Sequence, residues 1–305
     1  MSKLLTCFQE TFLLSLFPQG TRITAVRFMQ TMTPCPLYVR VALPDATEAE
    51  VVLRIARNRE GVAREAIIFP VLARFGLPVP SVLAGPVLDP DAPEAGSMTV
   101  NSLLPGETLQ AISCASAAGL ELAIGLLIEA VSRLHQLTEP LRQQAAAQLL
   151  PRKTLLSDLQ LLIHSGNRWV QEPLFEEAVS RLLPIVAAIQ TPLVFSNGDY
   201  QPANFLSDGN RLTGFVDFEK ACFEDPLITF ARYPTYALDP LNKAEIVDRY
   251  LRAHGYSDYD FASRLAVFCL RTLCTKVPVS GGNTQQQERR EHVLGLLGKA
   301  LAALN

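Results

Sequence analysis

Residues 196–219 read Ser196-Asn197-Gly198-Asp199-Tyr200-Gln201-Pro202-Ala203-Asn204-Phe205-Leu206-Ser207-Asp208-Gly209-Asn210-Arg211-Leu212-Thr213-Gly214-Phe215-Val216-Asp217-Phe218-Glu219. Asp208-Gly209 stands between two apolar runs, and Asp-Gly in that setting is a strong short-range hairpin signal, because the turn needs positive φ. A hairpin turning there holds Asn204 at the start of one strand and Asp217 at the end of the other. Antiparallel pairing then carries an amide and a carboxylate to the same end. Asp199 precedes Asn204 by five positions, on a loop stiffened by Pro202. Singly, each reads as a turn residue, since Asp and Asn are favoured in turns. Together they read as a site. Magnesium takes hard oxygen ligands, few of them from protein, with phosphates and water completing the octahedron, and an Asn with an Asp fits that need.

The sequence before this island has a different texture from the sequence around it. Ile23–Phe28, Leu37–Ala42 and Val51–Ile55 alternate or are β-branched, with Thr33-Pro34-Cys35-Pro36 and Pro44-Asp45 as turns. A helix is expected over Val62–Phe75, kinked at Pro70 and stopped by Gly76 and Pro78. Strands around Ser81–Ala84 and Met98–Asn101 complete a five-strand sheet, with a turn-rich loop over Pro86–Gly96 between them. After Pro105-Gly106 the apolar spacing turns helical at Ala117–Leu137, Lys153–His164 and Glu172–Ala188. It stays so from Lys243 to Asn305, with breaks at Gly255 and Gly281-Gly282. The expected fold is α+β, with a small sheet lobe (1–102), a hinge (103–106) and a larger, mainly helical lobe (107–305) enclosing a cleft.

Composition narrows the function classes. Of 305 residues, 49% are hydrophobic and 19% charged, with a formal net charge of −3, which suits a large globular core and not a basic nucleic-acid binder. The six cysteines include no Cys-x-x-Cys pair and read as free thiols of a reducing compartment. Gln9 and Glu10 interrupt the apolar N-terminal run, and Glu121, Glu129 and Arg133 punctuate the longest apolar stretch. Neither a signal peptide nor a membrane span is expected, and the expected location is the cytoplasm. His135 and Trp169, the single tryptophan, are expected to be structural.

Asn197-Gly198-Asp199-Tyr200-Gln201-Pro202-Ala203-Asn204 resembles the His-Gly-Asp-x-x-x-x-Asn signature of the aminoglycoside phosphotransferase and choline kinase family. Gly214-Phe215-Val216-Asp217-Phe218-Glu219, with Glu224-Asp225-Pro226, is similar to its second signature. Val52-Leu53-Arg54 and Arg64-Glu65 resemble the strand cation and helix carboxylate of that protein-kinase-like two-lobe fold. The resemblance implies a kinase that moves the γ-phosphate of ATP or GTP to a hydroxyl of a small molecule with Mg²⁺. Asp199 would serve the hydroxyl, Asn204 and Asp217 the metal, Arg54 (paired with Glu65) the phosphates, and backbone groups near Ser102 and Leu104 the adenine.

Four positions depart from the family pattern. Asn197 replaces His and Arg54 replaces Lys, while Thr229 stands where relatives often carry Asp. The turn Gln30–Pro36 has no glycine and two prolines, which lack the backbone N–H that a phosphate-covering loop uses. It reads equally as a working lid or as a stiffened turn. A kinase-like protein that binds nucleotide or metabolite without transferring phosphate is therefore the alternative. Residues 226–305 hold ten Lys/Arg against seven Asp/Glu, a balance that points away from a polycationic aminoglycoside and towards a neutral or anionic acceptor. The partners expected are nucleotide and acceptor, without nucleic acid or membrane; no feature of the sequence sets the oligomeric state.

Overall fold

The computed structural model describes residues 4–29, 36–91 and 96–304. The alternating stretch forms one antiparallel sheet from β1 (Arg22–Phe28), β2 (Leu37–Ala42), β3 (Glu48–Ala56), β4 (Val82–Leu88) and β5 (Ser97–Ser102), in the order β1-β2-β3-β5-β4. Leu37, Val39, Val41, Val51, Leu53, Met98 and Val100 are buried on one face of it, each such side chain contributing roughly 1.5–3 kcal/mol. That face is covered by helix α1 (Cys7–Leu14), whose Leu13 joins the cluster with Phe8 and Phe12 against it. The sequence reading does not anticipate α1. Its start is nonetheless encoded, since Thr6 and Gln9 form a reciprocal capping box. Helix α2 (Arg59–Arg74) joins β3 to β4 and runs on through Pro70 without ending there. Part of the glycine-free turn, residues 30–35, lies outside the described residues.

The helical stretches also form as their spacing predicts, at Ala117–Gln136, Leu155–Ile163, Pro173–Ala188, Ile246–His254, Asp258–Lys276 and Thr284–Ala302. Among them, Asp258–Lys276 is the most enclosed, burying Phe261, Ala266, Val267, Leu270 and Leu273. A short sheet of 152–153, 222–224 and 194–196 lies in the same part of the chain. Among the described residues, no helix is long and apolar enough to cross a membrane.

The chain divides into two compact units. One comprises Met1–Thr108, Pro140–Leu150 and Ala203–Ala221; the other comprises Leu109–Glu139, Pro151–Pro202 and Cys222–Asn305. The hairpin of Phe205–Ser207 and Leu212–Phe215 hydrogen-bonds to the strand Glu107–Thr108 as a separate three-stranded sheet, so it belongs with the first unit. It does not extend the five-stranded sheet.

Candidate active site

In the first unit the hairpin turns over Asp208–Arg211, where the Asp208 carboxylate accepts the backbone N–H groups of Asn210 and Arg211, each at 3.0 Å. Gly209 has φ 92, the conformation the Asp-Gly signal requires. At the far end, the Val216 N–H donates to the Asn204 carbonyl at 2.9 Å. The amide and the carboxylate therefore do lie at one end of the hairpin. Asp217 itself has φ 62, a left-handed conformation that costs a non-glycine residue about 1–3 kcal/mol unless its surroundings hold it.

Arg54 supplies that hold. Its guanidinium donates to Glu65 Oε1 and to Asp217 Oδ1, both at 2.8 Å, and to Glu219 Oε2 at 3.3 Å. Glu65 Oε1 also accepts the Phe218 N–H at 2.8 Å, tying α2 to the residue after Asp217. Burial pushes the Glu65 carboxyl up to about 7, against the pull of Arg54. Burial also raises Glu219, with Asp217 adding to it. Burial works against the Arg54 charge as well, but Glu65, Asp217 and Glu219 together outweigh it and hold Arg54 above its ordinary value. Three carboxylates around one guanidinium leave an excess of negative charge that a divalent cation would offset. Among the described residues, no three His, Cys, Asp or Glu side chains form a group that could hold a metal ion. A donor set of Asn204 and Asp217 suits Mg²⁺ all the same, because that ion draws most of its ligands from phosphate and water.

In the second unit, Asn197 is fully buried and brackets Asp199. Its Oδ1 accepts the Asp199 N–H and its Nδ2 donates to the Asp199 carbonyl, both at 3.1 Å. Asn197 at this position thus has an architectural role. Gly198 takes φ 74 to make the bend. The buried Asp199 carboxylate lies 2.7 Å from an Arg232 nitrogen. Beneath it, the Tyr200 carbonyl accepts the Tyr233 hydroxyl at 2.6 Å. The Tyr200 hydroxyl meets His135 Nε2 at 2.9 Å, and His135 Nδ1 meets the Tyr250 hydroxyl at 3.3 Å. His135 is therefore structural, as is Trp169, which donates its indole N–H to the Val277 carbonyl. Thr229 donates to Glu224 at 2.7 Å in a buried pair, and Asp225 is held by Arg264 in a buried ion pair at 2.8 Å.

Arg54, Glu65 and Asp217 thus meet, and Asn204 joins Asp217 through the backbone. Ser102 closes β5, where its N–H is already spent on the Ser81 carbonyl at 2.9 Å. Leu104 follows outside any strand, with its side chain against Gly214. Sequence reading passed over two participants. Glu219 stood within the quoted signature and its pairing needed only the fold. Arg232 had no signal at all, because nothing in the spacing links it to Asp199.

The sheet-bearing first unit and the mainly helical second unit are those of a protein-kinase-like fold. The model of the phosphotransferase enzyme family, APH, matches residues 39–265, and the chain belongs to that family. No curated protein sequence matches the chain. Among solved structures, the chain is similar to the aminoglycoside phosphotransferase APH(4)-Ia at 14% identity and a TM-score of 0.71, covering 96% of this chain and 97% of that one. It is similar to APH(2″)-IIia in its GDP and kanamycin complex at 16% identity, a TM-score of 0.62 and coverage of 96% and 97%. A choline/ethanolamine kinase family protein from Mesorhizobium loti follows at 19% identity, a TM-score of 0.54 and coverage of 92% of each chain. At these identities the likeness is one of fold.

Proposed function

We propose that this chain transfers the γ-phosphate of ATP or GTP to a hydroxyl group of a small molecule. The observation that carries the reading is the Arg54 centre, in which one guanidinium touches Glu65, Asp217 and Glu219 next to the Asn204–Val216 backbone link. Arg54 has the fork to bind nucleotide phosphate while Glu65 keeps it aimed. Asn204 and Asp217 would hold Mg²⁺, which when bound supplies charge neutralisation to the phosphates. Backbone groups near Ser102 and Leu104, at and within the 103–106 segment that we take as the hinge, would meet the adenine. Asp199 accepts a hydrogen bond from the acceptor hydroxyl and takes its proton as the new phosphorus–oxygen bond forms. The bond from the γ-phosphorus to the bridging oxygen breaks, and a nucleoside diphosphate leaves. The ligands of the similar structures support this reading; a thermostable mutant of APH(4)-Ia has been solved in a ternary complex with AMP-PNP and hygromycin B.

The test is nucleoside diphosphate formation from ATP and from GTP by the purified chain, with and without Mg²⁺, across a panel of hydroxyl compounds. Metal-dependent product formation is expected with one class of acceptor. Nucleotide binding without product across the panel would instead favour the binding-only protein.

A further inference from the structure

We infer that the acceptor carries an anionic group, a carboxylate or a phosphate, which is bound by Arg232 and Arg289 beside Asp199. The inference rests on the transferase reading above and names the chemical class of its acceptor. Arg232 is already within 2.7 Å of the Asp199 carboxylate. Its guanidinium carbon lies 5.2 Å from the centre of the Tyr236 ring, and that of Arg289 lies 4.5 Å from the same centre. Two cations thus share one aromatic ring, and one of them touches the residue proposed to receive the hydroxyl proton.

Cations gathered at one partly buried ring repel unless anions meet them. The protein supplies Asp199 to Arg232, whereas Arg289 has no carboxylate within ion-pair reach among the described residues. One nitrogen of each guanidinium, Arg232 Nε and Arg289 Nη2, is buried without a hydrogen-bond acceptor. An unmet donor on a charged group is costly, and an anion at the accessible nitrogens of the two groups would offset the charge that these buried ones cannot share with the protein. The remainder of both side chains is accessible: the Arg232 side chain is 15% exposed, and Arg289 and Tyr236 are half-buried.

Most of the other basic residues of this region are already paired. Lys243, Arg249, Arg252, Arg264 and Arg271 pair with Asp239, Glu121, Glu245, Asp225 and Asp158. Arg290 donates to the Pro278 and Val279 carbonyls, and what sets Arg289 apart is that it shares the Tyr236 ring with Arg232, beside Asp199. A guanidinium fork matches the planar oxygens of a carboxylate or the oxygens of a phosphate, and it would disfavour a cationic amine at the same place.

The experiment uses the full chain with its nucleotide site occupied by AMP-PNP and Mg²⁺. Calorimetric titration then compares four probes on one three-carbon skeleton: glycerate, glycerol 3-phosphate, glycerol and 3-amino-1,2-propanediol. At least one of the two anions should bind, and tighter than both uncharged and cationic probes; which anion binds separates carboxylate from phosphate. Arg289→Gln should weaken it by at least about tenfold, the loss of one charge-assisted pair, while Arg289→Lys should keep part of the affinity. Both variants change a half-buried helix residue, and unchanged thermal unfolding of the nucleotide-loaded protein verifies that they fold. Binding by neither anion, tighter binding of the amine or glycerol, or an Arg289→Gln affinity equal to wild type overturns the inference. Product formation from ATP is read separately. Full-rate transfer to a neutral or cationic acceptor by Arg289→Gln sinks the anion assignment and leaves the transferase standing. Arg289-dependent anion binding without any product supports the anion site and sinks the transferase.

Discussion

Asp199 and Asp217 carry the same charge in different surroundings, and their substitutions should fail differently. Asp199 is bracketed by Asn197 and paired with Arg232, whereas Asp217 sits in the Arg54 centre. Asp199→Asn should lower turnover by about 10²–10⁴, the size of a general-base contribution, with Mg-nucleotide affinity near wild type. Asp217→Asn should instead weaken the magnesium dependence of nucleotide binding. Nucleotide affinity with and without Mg²⁺ for both variants, beside single-turnover transfer, separates the roles; equal loss of affinity in both would show the division to be wrong. Arg54 offers a stability prediction of the same kind. Arg54→Gln leaves Glu65, which is 2% exposed, without its cation, and breaking such a pair from one side costs about 3–5 kcal/mol. Denaturant unfolding measures this. Arg54→Lys should recover stability better than nucleotide affinity, because an ammonium restores charge but not the fork.

At the scale of elements, the hairpin was legible because its signal is local: an Asp-Gly turn between apolar runs needs no distant partner. The five strands were legible for a related reason, since burial of one sheet face imposes alternation on the sequence. Helix α1 was not, because its apolar residues were too interrupted to show a period and their burial depends on the sheet face they cover. The short strand Glu107–Thr108 was not either, having only two residues. Its approach to the hairpin makes a test. Gly106 has φ 107, and a Cβ there would lie 2.5 Å from Thr213 Oγ1 and 2.6 Å from the Ser207 carbonyl oxygen. Gly106→Ala should therefore destabilise the first unit by about 1–3 kcal/mol, read as a lower thermal midpoint. A midpoint equal to wild type would mean that the strand can move away at no cost.

For the whole molecule, acid stability should depend on His135. Burial, with a smaller contribution from His254, lowers its pKa from 6.5 to about 3. The folded chain then binds fewer protons than the unfolded one between those values, so stability rises with pH across that window. The contribution is complete above the unfolded value and is lost as pH falls through the folded one, amounting to as much as about 5 kcal/mol. His135→Gln should flatten the stability–pH curve relative to wild type between pH 3 and 6.5. Parallel curves for the two proteins would remove His135 as the cause. The division into two units also belongs to this scale. Texture follows the chain, whereas the hairpin is claimed by the unit to which it hydrogen-bonds.

The sequence by itself determined the strands, the long helices, the hairpin and the placing of residues 204 and 217 at one end of it. All of these follow from periodicity and turn chemistry acting over a few residues. Only the tertiary structure decided which charges meet. Arg54 reaches Asp217 and Glu219 across more than half of the chain. Asp199 is paired with Arg232, and Arg289 lies with Arg232 on the ring of Tyr236. Ion pairs carry no periodicity, and their partners are set by how the buried faces pack, so a charge's role becomes readable once burial has removed water as its alternative partner.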